Sequence, residues 1–210
     1  MARRHPEIDP LGYYHVSSRG CYGRPLFETP AQHELYLTLY GRFARKYGWQ
    51  TLDWALMKNH HHFIVRLTRG GLSEGMRTIN SGFSRRIHAM EGQTGKGHLV
   101  RHCFYGGALT SESSVLEACR YVDLNGPRAG LCEAPEDWSW SGHRALVGLA
   151  PPRPIHHPEV LLELVDRSLT RARARYREFV LAGLASKGLD LRSEQGVRTA
   201  TTVGMVESTR

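Results

Sequence analysis

Apolar and polar positions switch between two periods along the chain, and each switch marks an element. Residues 13–18 are aromatic and β-branched enough for a short strand, closed by the turn-forming pair Arg19-Gly20. Pro30 opens a helix in which Tyr36, Leu39, Tyr40, Phe43 and Tyr47 recur at helical spacing, and Gly48 stands where a C-terminal cap belongs. Strands over 50–57 and 60–67 flank a Lys58-Asn59 turn. A helix over 72–90 sets Met76, Ile79, Phe83 and Ile87 on one face, with Arg77, Arg85 and Arg86 adding charge; Gly92, Gly95 and Gly97 then make a flexible turn. A short strand over 103–109 leads into a Thr/Ser cluster at 110–114 that offers several N-caps, with a capping box expected from Ser114 to Glu117. The helix so capped ends at Asn125-Gly126-Pro127.

The resulting order, β-α-β-β-α-β followed by a helix, predicts an α+β fold with a ferredoxin-like, split βαβ antiparallel sheet. Pro151-Pro152-Arg153-Pro154 reads as a linker, and helical patterns over 159–165 and 168–184 follow it, the second carrying Arg171, Arg173, Arg175 and Arg177. From Lys187 to Arg210 the chain is polar and aperiodic, as in a disordered tail. The expected layout is a domain over 1–150, a C-terminal helical extension over 151–186 and the tail over 187–210.

Charge narrows the partner. The 210 residues hold 28 Lys and Arg against 20 Asp and Glu, a net +8, which suits a polyanion better than an acidic metabolite. No run of eighteen apolar residues occurs, and the start lacks the apolar stretch of a signal peptide, so a cytoplasmic protein with no membrane partner is expected. Cys21, Cys103, Cys119 and Cys132 form no C-x-x-C pair, which points to reduced, structural thiols.

Candidate chemistry concentrates in two places. On the strand His60-His61-His62-Phe63-Ile64-Val65-Arg66-Leu67, side chains alternate faces, so the apolar run places His61, Phe63, Val65 and Leu67 against the helices. His60 and His62 then share the opposite face, their Cβ atoms about 7 Å apart, close enough to converge on one metal ion. Arg66 shares that face and can hold a phosphate. Three adjacent histidines fit a surface cluster equally well. In the helix near 115–124, Val115, Ala118, Cys119 and Val122 form the apolar stripe, and Tyr121 and Asn125 stand at i and i+4 beside it. A tyrosine at such an edge more often packs than reacts. Beside a divalent ion, however, a phenol of pKa ~10 becomes a competent nucleophile toward a phosphate, and Asn125 can give a neutral oxygen ligand.

Several ordered stretches carry a family likeness: residues 14–20 (Tyr14-His15-Val16-Ser17-Ser18-Arg19-Gly20), 56–63 (Leu56 through Phe63), Arg120-Tyr121-Val122-Asp123-Leu124-Asn125 running into Pro127-Arg128-Ala129-Gly130, and Asp137-Trp138-Ser139-Trp140-Ser141. Over about residues 1–186 the chain resembles the single-tyrosine transposases of the HUH superfamily, especially those associated with repetitive extragenic palindromes. The resemblance implies His60 and His62 as ligands of Mg²⁺ or Mn²⁺, Asn125 as third ligand and Tyr121 as the nucleophile that forms a 5′-phosphotyrosine. It also implies single-stranded, hairpin-containing DNA from repetitive palindromes as substrate, a nucleoid-associated bacterial setting, a monomer or homodimer, and Arg19, Arg66, Arg85, Arg86 and Arg128 as phosphate contacts. The sequence departs from the family pattern at His61, normally apolar; at Lys58 and Gly126, each normally Pro; and at Cys103 and Tyr105, commonly basic. A non-catalytic, domesticated hairpin-binding protein is the main alternative, and a metal-dependent hydrolase using water is a third reading.

Overall fold

Strands β1 (Tyr13–Arg19), β2 (Gln50–Met57), β3 (His60–Arg66) and β4 (Tyr105–Leu109) form one sheet in the order β2-β3-β1-β4, every neighbouring pair antiparallel. Helix α1 (Pro30–Tyr47) links β1 to β2 across β3, and α2 (Leu72–Met90) links β3 to β4 across β1. These crossings are the predicted split βαβ arrangement. The protein is described by a computed structural model over residues 11–92, 97–101 and 104–185. The expectations for Gly95, Cys103 and the tail from Lys187 fall outside those residues.

Local chemistry sets the helix limits. Thr29 caps α1 with a reciprocal box, its hydroxyl accepting from the Gln32 amide while the Gln32 side chain accepts from the Thr29 amide. At the far end Gly48 sits at φ 66°, a left-handed position that ends the helix without strain. Helix α3 (Glu112–Asp123) is capped by a box too, but from Ser111 to Ser114 rather than from Ser114 to Glu117. Adjacent serines compete for the cap, and the extended conformation of Ser111 decides between them. The helical path pauses at Leu124 and resumes as the single turn α4 (Asn125–Arg128), because Pro127 falls early in that turn, where no amide is needed.

Both faces of the sheet are covered. Helices α1 and α2 bury Val16, Phe63, Val65, Trp54 and Leu56 on the first. On the second, Leu52, Ala55, Met57 and Ile64 lie under α3, α6 (Pro158–Val165) and α7 (Leu169–Ala185), which contribute Cys119, Val122, Leu161, Tyr176 and Val180. Residues beyond 150 therefore complete this core. A buried polar clamp ties them in: Asp123 Oδ2 accepts from Tyr176 Oη at 2.7 Å and from His143 Nδ1 at 2.8 Å, His143 opening the short helix α5 (His143–Leu146). Desolvation beside Asp123 pushes the neighbouring Asp53 carboxyl well above its ordinary range. The outer edge of β2 is occupied by the chain near 140–142 and 157, with the Leu56 amide donating to Trp140, Gly142 to Trp54 and His157 to Thr51. A buried edge strand keeps its backbone groups paired in this way.

The arginines of α7 have their own partners. Arg171 and Arg175 pair with Asp166, and Arg177 with Glu136. Cys21, Cys119 and Cys132 are free thiols. No described helix is long and apolar enough to cross a membrane.

Candidate active site on the second face of the sheet

Strand alternation separates the three histidines as their sequence predicts. His61 points into the first core, wholly buried, where its Nε2 lies 2.6 Å from Tyr36 Oη. Tyr36 donates to Asn80 Oδ1 at 2.9 Å, so it accepts from His61, and Asn80 in turn donates to Ser18 Oγ at 3.0 Å. This chain gives His61 Nε2 the partner that a buried polar group requires, while its Nδ1 has none among the described residues. Burial lowers the His61 pKa to about 3, which keeps the ring neutral.

His60 and His62 face the other way, their ring centroids 4.9 Å apart and edge to face. The C-terminal end of α3 crosses above them. Tyr121, half-buried, stands edge-on to His62 at 5.5 Å, and Asn125, one turn later, lies beside the His60 side chain. Asn125 Nδ2 donates to the Tyr121 carbonyl at 2.8 Å, which leaves its amide oxygen available on the side of His60.

The register of β1 against β3 brings in a residue the sequence reading did not single out. His15 lies on the same face, and its Nε2 is 2.8 Å from His62 Nδ1. Its ring also meets those of Tyr121 at 5.9 Å and Tyr105 at 6.1 Å. In the sequence its one signal was alternation, with His15, Ser17 and Arg19 sharing a strand face; its partner became visible only with the register. Asn59 plays the matching part for His60, its Oδ1 lying 2.8 Å from His60 Nδ1.

Both histidines are thus met at Nδ1, His60 by Asn59 and His62 by His15. His62 Nε2 is buried with no hydrogen-bond partner among the described residues. Burial lowers the pKa of all three rings, that of His15 to about 4; nearby positive charge from Arg19 adds to the effect on His60 and His62, while the Asn125 contact opposes it at His60. Neutral imidazoles anchored at Nδ1 can offer Nε2 to a metal ion, and the orphaned buried Nε2 of His62 is what such an ion would satisfy. The donor set is two histidines and one amide. No group of three or more His, Cys, Asp or Glu among the described residues is placed to hold a metal.

Of the five arginines expected at phosphates, two flank this site. Arg19 ends β1 opposite His60, and the Arg128 guanidinium lies 6.0 Å from the centre of the Tyr121 ring. Arg66 closes the other end of β3, about 13 Å along the strand from His62, and lies against Tyr13. Arg85 and Arg86 are exposed on α2, whose packed side covers the first face of the sheet. The structure does not bring these three to the histidine pair.

Known proteins resemble this chain in sequence and in fold. The family model described as "Transposase IS200 like" matches residues 10–125. No curated protein matches the chain. Among solved structures, the REP-associated tyrosine transposase bound to a REP hairpin is similar at 20% identity and a TM-score of 0.59, covering 72% of this chain and 89% of that one. The tRNA(His) guanylyltransferase of Saccharomyces cerevisiae aligns over 83% of this chain and 79% of that one, at 12% identity and a TM-score of 0.43, too loosely to carry an argument.

Proposed function

The chain belongs to the IS200-like transposase family, and from that membership we propose that it cleaves and rejoins single-stranded DNA at hairpins, using Tyr121 as nucleophile. The observation that carries the reading is the meeting of Tyr121 with His60, His62 and Asn125 at one end of the sheet. His60 and His62, with the Asn125 amide oxygen, would hold Mg²⁺ or Mn²⁺. The bound ion supplies Lewis-acid polarisation of the scissile phosphate.

The rest falls to the chain's own side chains. Tyr121 Oη forms a bond to phosphorus as the bond from phosphorus to the 3′ oxygen breaks; the phenol gives up its proton and the departing oxygen takes one up. The products are a 5′-phosphotyrosine and a free 3′-hydroxyl. Because the ester stores the cleaved bond, attack by a second strand's 3′-hydroxyl reverses the step without water or a nucleotide cofactor. Seating Tyr121 on α3, packed through Val122 and Cys119, holds the hydroxyl in place at little entropic cost. Arg19 and Arg128, which flank the site, would meet the phosphates on either side. Hairpin DNA as substrate is supported by the REP hairpin bound in the similar structure, and with such a substrate the protein would act at the bacterial nucleoid.

Purified protein incubated with Mn²⁺ and a library of genomic hairpins should form a denaturant-resistant protein–DNA adduct that disappears in Tyr121→Phe. Cleavage that survives in that variant would show water to be the nucleophile. Hairpin binding with neither cleavage nor adduct would favour the binding module, a reading to which Tyr105, a neutral ring 42% exposed beside His15, lends weight.

A further inference from the structure

The turn that follows β1 is built against local preference. Tyr22 sits at φ 52° and ψ 29°, the one non-glycine residue at positive φ among the described residues, a conformation that costs roughly 1–2 kcal/mol. Its ring is 99% exposed, so it also forgoes the burial by which an aromatic side chain normally stabilises a fold. Strain of this kind persists only where the surroundings enforce it, and it concentrates at ligand sites.

The enforcement is visible. The Gly20 amide donates to the Asn59 carbonyl at 2.8 Å, Cys21 to Leu99 at 2.8 Å, Arg24 to Cys21 at 3.0 Å and Leu26 to Lys58 at 2.7 Å. Gly20 admits no side chain, since a Cβ there would stand 2.1 Å from the Arg24 carbonyl oxygen. The ring is therefore displayed on a fixed mount. That mount is bonded to the β2–β3 turn at Lys58 and Asn59, the residues leading directly into His60. Arg19 and Arg24, both exposed, flank the ring in sequence, and no carboxylate pairs with either among the described residues.

A fully exposed tyrosine is ordinary in isolation. One held rigid against its backbone preference, between two unpaired cations and at the end of the sheet that carries the histidine pair, has the parts of a stacking platform: a π-face for a base and positive charge for the phosphates beside it. We infer that Tyr22 stacks on an unpaired base of single-stranded DNA next to the phosphate at the histidine site, with Arg19 and Arg24 on the adjoining phosphates. The inference rests on the DNA-cleaving reading above. Stacking discriminates little between bases, so the turn positions the strand, and it favours unpaired over duplex DNA because paired bases already have both faces covered.

Fluorescence anisotropy with two labelled probes tests this: a DNA hairpin with single-stranded tails, and the same hairpin without them. Tyr22→Ala should weaken binding of the tailed hairpin about 10-fold while leaving the blunt one unaltered, and Tyr22→Phe should bind like the parent. Tyr22→Gly relieves the left-handed strain while removing the ring, so its melting temperature should rise as tail binding falls; a merely structural role for Tyr22 gives no such split. Binding of the tailed hairpin by the Ala and Gly variants as tightly as by the parent overturns the inference alone. Failure of the parent protein to bind either probe overturns the DNA reading with it.

Discussion

Replacing His15 with Phe isolates a single hydrogen bond at the candidate site. His15 Nε2, 2.8 Å from His62 Nδ1, is the one hydrogen-bond partner of that ring among the described residues. Phe keeps a ring of similar size between Tyr105 and Tyr121, so packing changes little. A buried His62 Nδ1 left without a partner costs ~1–3 kcal/mol, more than the ~1 kcal/mol net worth of an ordinary hydrogen bond. Folding recovers part of this, because Phe also removes an imidazole whose pKa burial has depressed to about 4. Metal binding has no such compensation: with Nδ1 unanchored, neither the tautomer nor the orientation that presents Nε2 is fixed. Loss of an outer partner of a histidine ligand typically lowers metal affinity ~10–100-fold, or ~1.4–2.7 kcal/mol. We therefore expect His15→Phe to weaken Mn²⁺ binding by about that factor with a smaller change in folding stability. Calorimetric titration of the full chain with Mn²⁺ in the absence of DNA measures it directly. His15→Gln, whose amide can accept from His62 Nδ1, should restore most of the affinity. Unchanged Mn²⁺ affinity in His15→Phe refutes the anchoring argument, and equal losses in both variants would assign the effect to ring shape.

Other expectations are simpler to state. His61 has a folded pKa of about 3 against about 6.5 unfolded, so between those values the unfolded chain binds the extra proton and stability falls as pH falls; the loss by pH 3 is on the order of 4 kcal/mol. His61→Leu should remove that component, so urea denaturation should show a shallower decline of stability with acid than in the parent. Tyr176→Phe takes away a hydrogen bond to a buried carboxylate and should cost ~1.5–3 kcal/mol in chemical denaturation; a change below about 0.5 kcal/mol would mean that the clamp on α7 contributes little. Arg19→Ala should weaken single-stranded DNA binding and reduce the slope of log affinity against log salt by about 0.7, whereas Arg66→Ala, altered at the far end of β3, should leave cleavage at the site unaffected. Equal effects in the two variants would show that the bound strand runs the length of the sheet.

What the sequence by itself determined was the set of elements and the facing of β3, because both are local. Helices α1 and α2 and strand β2 follow from hydrophobic period, Pro30 and Gly48, and the alternation of a strand is enough to divide His61 from His60 and His62. The tyrosine and asparagine one turn apart were legible for the same reason. Where several residues could serve one local role, as with the serines before α3, the sequence did not choose between them.

Tertiary structure decided everything that depends on partners distant along the chain. Strand register, set by packing on both faces of the sheet, put His15 against His62. The helices beyond residue 150 buried the second face, so that Asp53, Asp123, His143 and Tyr176 could share one polar cluster. Pairing with Asp166 and Glu136 tied down three arginines of α7 that composition alone would offer to DNA. A side chain's type fixes what chemistry it can perform, but its neighbours set its protonation, its tautomer and its access to a phosphate, and those neighbours are brought to it only by the fold.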